Sequence, residues 1–175
     1  MIEKTNIVED TAKLFRAIGH TVVRFQQVEH WLAEELASML VMKEIEDQFV
    51  VSAAMSFKQK VDLLVELYPR RRNPQLPKVD IVLVRKALYA GEEFRNRVVH
   101  SLWTVESGEP SRWKQLKGSL KGRKGFLMRN SDADIESLEA CNDALKTICT
   151  WSVSTSAELE VATQIIVKAM QSADL

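Results

Sequence analysis

Along most of this chain, apolar side chains recur every three or four residues, the period that keeps one face of an α-helix buried. Over 5–42, Leu14, Ile18, Val22, Phe25, Val28 or Glu29, Leu32 and Leu36 predict one long helix with a single buried stripe. Thr5 or Asn6 followed by Glu9 has the form of a capping box at its start. Gly19 inside that helix costs about 1 kcal/mol of propensity unless it marks close packing. Glu29 is a carboxylate on or beside the stripe, with His20 and His30 on either side of it.

A second helical region covers about 44–68, with a break expected near Ser52–Ser56. Ser56 is a suitable N-cap for the segment beginning Phe57, where Phe57, Val61 and Leu64 keep helical spacing. Pro69 is expected to end it, and Arg70–Pro77 forms a basic loop bounded by prolines. A third helix is predicted from about Lys78 to His100 or Leu102. Its inner face is read as Val79, Val82, Leu83, Lys86, Tyr89, Ala90, Phe94 and Val98.

The pattern then changes. Gly108, Pro110, Gly118, Gly122 and Gly125 punctuate 103–130 too densely for a helix. Short alternating pieces, Leu102–Val105, Arg112–Leu116 and Phe126–Arg129, predict a small β-hairpin or meander. Ser131 is expected to cap a final helix over about 132–170, with Asp132 and Asp134 in its first turn and a kink or break at Ser152–Ser156. Ile135, Leu138, Cys141 or Asn142, Leu145, Ile148 and Cys149 share one face of it, and Leu159, Ala162, Ile165, Ile166 and Ala169 continue the pattern. The fold expected is therefore mainly α. It is an antiparallel bundle of four to five helices with a small basic β-hairpin-like insertion, about 103–130, before the last helix. The 175 residues are read as a single domain.

Composition adds location and charge. Apolar residues make up 46%, ordinary for a globular chain. No secretory signal pattern and no apolar run long enough to span a bilayer is present, so the expectation is a cytoplasmic protein without a membrane partner. Cys141 and Cys149, eight apart on a helix, lie roughly 12 Å from each other along its axis, beyond disulfide reach. The formal net charge of zero hides an asymmetry. Residues 70–129 carry fifteen Lys/Arg against five Asp/Glu, whereas 1–69 carry seven against eleven and 130–175 two against eight. From 112 to 129 there are seven basic residues and no acid, with Trp113 and Phe126 among them. That composition suits a surface that meets phosphates and stacks on bases. It marks Arg97, Arg112, Lys114, Lys117, Lys121, Arg123 and Lys124 as candidate RNA- or phosphate-binding residues. Lys58, Lys60 and Arg70–Arg72 would extend the track if their helix packs beside it.

The chemistry concentrates in Phe94-Arg95-Asn96-Arg97-Val98-Val99-His100-Ser101-Leu102-Trp103. There is no HExxH, CxxC, Walker loop or GxGxxG, so no metal and no cofactor is expected. Asn96 and His100 are four apart and share a helix face, while Arg95 lies about 140° round from His100. An imidazole exchanges protons near neutral pH, so it can accept a ribose 2′-hydroxyl proton or return one to a leaving oxygen. A guanidinium forks onto a phosphate and steadies charge that builds in the transition state. An amide can orient the histidine or hold a phosphate oxygen. Together these suffice for RNA cleavage by internal 2′-hydroxyl attack. One chain supplies one such histidine, and a symmetric dimer would bring two together. Glu29 is a candidate partner for Arg95 or Arg97.

Arg95-Asn96-x-x-x-His100 near the end of an inner helix resembles the R-polar-x-x-x-H signature of HEPN domains. The looser pattern also occurs at Arg24…His30, but there Arg24 is followed by Phe25 and the helix simply continues. The resemblance implies a metal-independent RNA endonuclease, commonly a homodimer and often a toxin or defence effector with an antitoxin partner. It implies Arg95, Asn96 and His100 as the catalytic residues. Two alternatives share the same helices: a non-catalytic module that binds RNA, a nucleotide or a protein, and a helical scaffold in which the motif is incidental.

Overall fold

The computed structural model describes residues 2–75, 78–106, 112–120, 126–132 and 134–172. Six helices and three strands follow in the order α1 (Ile2–Met39), α2 (Ile45–Ala54), α3 (Phe57–Arg71), α4 (Ile81–Val99), β1 (Leu102–Glu106), β2 (Arg112–Leu120), β3 (Phe126–Asp132), α5 (Ile135–Cys149) and α6 (Ser156–Ser172). The mainly helical bundle expected from the apolar spacing is present. The insertion is a three-stranded antiparallel meander, ordered β1-β2-β3, which precedes the last two helices rather than the last one. Leu102 pairs with Leu116 and Glu106 with Arg112 across the first two strands; Lys114 pairs with Asp132 and Leu120 with Phe126 across the next two.

α1 runs through the bundle with its predicted stripe inward: Leu14, Phe25, Val28, Leu32 and Leu36 are buried, as are Ala17 and Thr21. Thr5 and Asn6, expected as the cap, lie within the helix, which already starts at Ile2, and Glu9 pairs with Lys13, 2.9 Å away one turn on. Against α5 the contact is polar at one point. Thr21 Oγ1 donates to Asn142 Oδ1 at 2.8 Å, and Asn142 Nδ2 donates to the Ala17 carbonyl at 2.9 Å, so a buried amide is satisfied on both sides.

Ser56 caps α3 with a full capping box: Gln59 N donates to Ser56 Oγ, and Ser56 N donates to Gln59 Oε1 at 2.8 Å. Pro69 does not end this helix, which continues to Arg71. Its last turn is held from outside by Arg71 Nη1 donating to the Met39 carbonyl at 3.1 Å, while Arg72 N donates to the Tyr68 carbonyl. Tyr68 also accepts from Val79 N at 3.1 Å through its hydroxyl, fastening the chain just before α4.

The inner face expected for the third helix was out of phase in its first half. Asp80 is the N-cap, accepting from Val82 N and Leu83 N, so Val79 precedes the helix. With the helix starting at Ile81, Val82 and Lys86, both expected inside, fall on its exposed side. The buried residues are Val84, Ala87, Leu88, Ala90, Gly91, Phe94, Arg97 and Val98, so the expected Ala90, Phe94 and Val98 are inside while Val82 is 70% exposed. Val79 and Val84, at the positions of a hydrophobic staple, are both buried. On its other flank α4 is joined to α3 by Asp62, which accepts from Tyr89 Oη at 2.7 Å and from Arg85 Nη2 at 2.8 Å. The Tyr89 hydrogen bond is the main reason the Asp62 carboxyl is held below the usual carboxylate range.

Ser131 and Asp132 belong to β3, so the helix after it is capped by Asp134, which accepts from Ser137 N at 2.9 Å. The break near 152–156 is real. Thr155 and Glu158 form a second capping box, with Thr155 N donating to Glu158 Oε2 at 2.8 Å and Glu158 N donating to Thr155 Oγ1 at 3.2 Å, and α6 starts at Ser156. α5 buries the predicted Leu138, Cys141, Asn142, Leu145 and Ile148, whereas Ile165 on α6 is exposed and Thr163 and Met170 are buried. Both cysteine thiols are unbridged, and burial pushes the Cys141 thiol up to about 12.

Candidate active site at the end of helix α4

Arg95, Asn96 and Arg97 occupy the last turns of α4, and His100 is its C-cap, with φ −99° and ψ 14° and its backbone N–H donating to the Asn96 carbonyl at 3.1 Å. Consecutive helical positions point about 100° apart, and the two arginines have opposite fates. Arg97 is 9% exposed and its Nη1 donates to the Met170 carbonyl on α6, so the residue expected to meet phosphate is committed to the interior. Arg95 is half-buried, and its guanidinium lies over the Phe25 ring of α1, 4.7 Å from the centroid.

The imidazole of His100 is exposed, and the Asn96 amide is half-buried. Among the described residues, neither side chain makes a hydrogen bond or ion pair. Arg95 likewise has no carboxylate within salt-bridge distance there. The three residues of the motif thus stand at the solvent side of one helix end with their polar groups uncommitted, while the arginine between them holds the structure together. Arg24…His30, the looser match, differs: Arg24 Nη1 donates to Gln27, and His30 Nε2 lies 3.3 Å from Glu34.

The meander is fastened beside this end. Trp103 Nε1 donates to the Val98 carbonyl at 3.1 Å, and Gln115 Nε2 donates to Ser101 Oγ at 3.0 Å and to the Arg97 carbonyl at 3.3 Å. Trp113, expected as a stacking platform, is half-buried instead: its ring sits 5.9 Å from that of Phe15 on α1, and its Nε1 donates to Thr11 Oγ1. The two tryptophans are the anchors of the sheet. Its basic residues Arg112, Lys114 and Lys117 lie along β2, the strand paired with the one that follows His100. Lys121, Arg123 and Lys124 lie outside the described residues.

Glu29 pairs with neither Arg95 nor Arg97. Its Oε1 lies 3.7 Å from Lys60 Nζ of α3, because α3 packs against the flank of α1 that carries Glu29. Lys60 is buried for the same reason, leaving Lys58 exposed. Sequence reasoning missed two neighbours of Arg95. Phe25 was legible only as a core position, and Glu92 stands three residues before Arg95, a spacing that brings helix neighbours together. Burial raises the Glu92 carboxyl above its ordinary range, Arg95 opposes that shift and Glu29 adds to it. Glu29, Glu92 and Arg95 therefore share one electrostatic neighbourhood. Among the described residues no three His, Cys, Asp or Glu side chains gather as a metal site would require.

No family model, no curated protein and no solved structure matches this chain.

Proposed function

We propose that this protein is a metal-independent RNA endonuclease of the HEPN type, acting through Arg95, Asn96 and His100. The observation that carries the reading is the contrast within the motif. Arg97 is tied into the bundle, whereas His100 is solvent-facing with its imidazole uncommitted among the described residues. A helix-end histidine that served only stability would be expected to hold a carboxylate or carbonyl.

In this reading His100 takes the proton from a ribose 2′-hydroxyl. The resulting oxygen attacks the adjacent phosphorus, the bond to the 5′-oxygen breaks, and that oxygen is protonated as it leaves. The products are a 2′,3′-cyclic phosphate and a 5′-hydroxyl. Arg95 steadies the charge on the non-bridging oxygens, and Phe25 beneath it limits the directions its guanidinium can take. Asn96, one turn before His100, orients the imidazole or a phosphate oxygen. A second copy of the chain, related by a two-fold axis, would supply the second histidine for the opposite proton transfer. The basic residues of β2 support the reading by placing cations in the strand next to β1, which begins two residues after His100. A role as toxin or defence effector, with an antitoxin as protein partner, belongs to the same proposal.

The test is incubation of wild type and His100→Ala with end-labelled RNA in the presence of EDTA. Cleavage by wild type alone, leaving cyclic-phosphate ends, supports the assignment. Equal cleavage by both proteins removes His100 from the chemistry. Absence of cleavage with salt-sensitive RNA binding retained would leave a binding module of the same shape.

A further inference from the structure

α1 carries a second row of apolar and small residues besides the one that enters the core. Val8, Ala12, Phe15, Gly19 and Val22 recur at steps of four, three, four and three, the heptad spacing of a helix that packs on another helix. At about 100° per residue the five fall within roughly 80° of one another, on the side turned away from the buried Ala17 and Thr21. Val8 is 70% and Phe15 59% exposed, Ala12 and Gly19 are exposed, and Val22 is half-buried. The row alternates in size: large residues stand at 8, 15 and 22, and small ones at 12 and 19 between them. At Gly19 an added Cβ would meet nothing within 4 Å, so the hollow there is open. The apolar surface continues onto the meander. The Trp113 ring lies 5.9 Å from that of Phe15, and Val105, the register partner of Trp113, is 43% exposed.

We infer that this row is the seam of a homodimer, in which α1 packs antiparallel on α1 of a second copy across a two-fold axis near residues 13 and 14. Size selects the antiparallel sense. Phe15 then meets the partner's Ala12 and Val8 meets the partner's Gly19, and the two-fold repeats both contacts, so each large residue enters a small one's hollow. A parallel pair would set Phe15 against Phe15 and Gly19 against Gly19, crowding one layer and emptying another. Charge selects the register. Glu9 and Arg16, both exposed, border the row on one flank, directly after Val8 and Phe15. In antiparallel helix pairs the same flank of each helix meets, so Glu9 lies beside the partner's Arg16 and Arg16 beside the partner's Glu9. A slip of one heptad toward the C-terminus would instead bring the two Arg16 side chains together. Glu9 Oε1 is 2.9 Å from Lys13 Nζ within its own helix, which leaves the other carboxylate oxygen for the guanidinium.

Area sets the strength. A paired stretch over about residues 5–22 is roughly 27 Å long, and across a helix about 10–12 Å wide it covers on the order of 300 Å² per copy. A standard interface takes about 800 Å² per partner. Even with Trp113 and Val105 at its edge, the dimer is therefore weak and reversible. The inference does not rest on the ribonuclease reading, although it assigns a face to the second copy which that reading calls for.

Sedimentation equilibrium of the full chain between about 1 and 300 µM reads the monomer–dimer constant. The wild type should dimerise with a Kd of roughly tens of micromolar, in keeping with so small an interface. Gly19→Lys leaves the single chain undisturbed, because its side is open, and should weaken the dimer about tenfold or more by placing a charge in the seam. Glu9→Arg and Arg16→Glu should each weaken it several-fold by setting like charges side by side. The two reversals in one chain, E9R/R16E, should return Kd to within about twofold of the wild type. Circular dichroism separates loss of the dimer from loss of helix. A chain that stays monomeric throughout, or a dimer indifferent to Gly19→Lys, overturns the inference and gives the face to another occupant. A dimer broken by Gly19→Lys that the double reversal does not restore overturns the register. RNA cleavage by a chain that sediments as a monomer would overturn the seam and leave the ribonuclease. Dimerisation with the expected variant pattern, in a protein that cleaves no RNA, would support the seam and remove the ribonuclease.

Discussion

The guanidinium of Arg95 lies over the ring of Phe25, 4.7 Å from its centroid, joining the motif helix α4 to α1 by a contact that leaves the arginine's hydrogen-bond donors available. A salt bridge in the same place would have occupied the donors a phosphate needs. The ring thus restrains the cation without competing for its ligand. Arg97, two residues on, makes the opposite use of the same side chain, with its guanidinium bonded to the Met170 carbonyl.

From this contrast, Arg95→Ala should change stability by no more than about 1 kcal/mol, the worth of a partly exposed cation–π contact. It should lower RNA cleavage by about a hundredfold or more, as expected for loss of a charge-stabilising group. Arg97→Ala should lower stability by several kcal/mol, since it removes a buried charged donor and its packing. Urea melts and single-turnover cleavage of the two variants check both halves. Equal destabilisation by the two would refute the division of labour.

Two glycines in helices make opposite predictions. Gly19 is exposed on α1 with nothing within 4 Å of an added Cβ, so Gly19→Ala should stabilise by about 0.5–1 kcal/mol through helix propensity and a less disordered unfolded chain. At Gly91 an added Cβ would stand 3.0 Å from Leu145 Cδ2 and 3.9 Å from Phe25, both buried. Overpacking there costs about 1–3 kcal/mol, enough to outweigh the propensity gain, and Gly91→Ala should lower the melting temperature. Thermal denaturation of the pair decides the signs.

Asp134 supplies a pH dependence. Its carboxylate accepts from Ser137 Oγ at 2.6 Å and from Ser137 N at 2.9 Å, and these bonds hold its folded-state pKa below the ordinary aspartate value. A depressed carboxyl pKa adds stability that is fully present above the unfolded-state value and is lost as pH falls through the folded-state value. Asp134→Ala should therefore cost about 1 kcal/mol at neutral pH, and the gap from wild type should close in strong acid. A gap of constant size across that range would show that the cap acts by something other than its charge.

The helical period, the glycine punctuation and the cap at Ser56 were enough to determine a mainly α bundle, the breaks near 55 and 154 and the three strands of the meander, because each follows from interactions a few residues apart. The location of Arg95, Asn96 and His100 at the end of an inner helix was legible on the same local grounds. Other features depended on partners distant in sequence. Whether Arg95 or Arg97 faces solvent was decided by Phe25 and Met170, about seventy residues away on either side. Trp113 became an anchor rather than a platform through Phe15 and Thr11, and Lys60 was buried beside Glu29 once α3 packed against α1. Periodicity identifies which face of an element is apolar, but the partner of a single polar side chain is chosen by the packing of whole helices. That choice belongs to the tertiary structure alone.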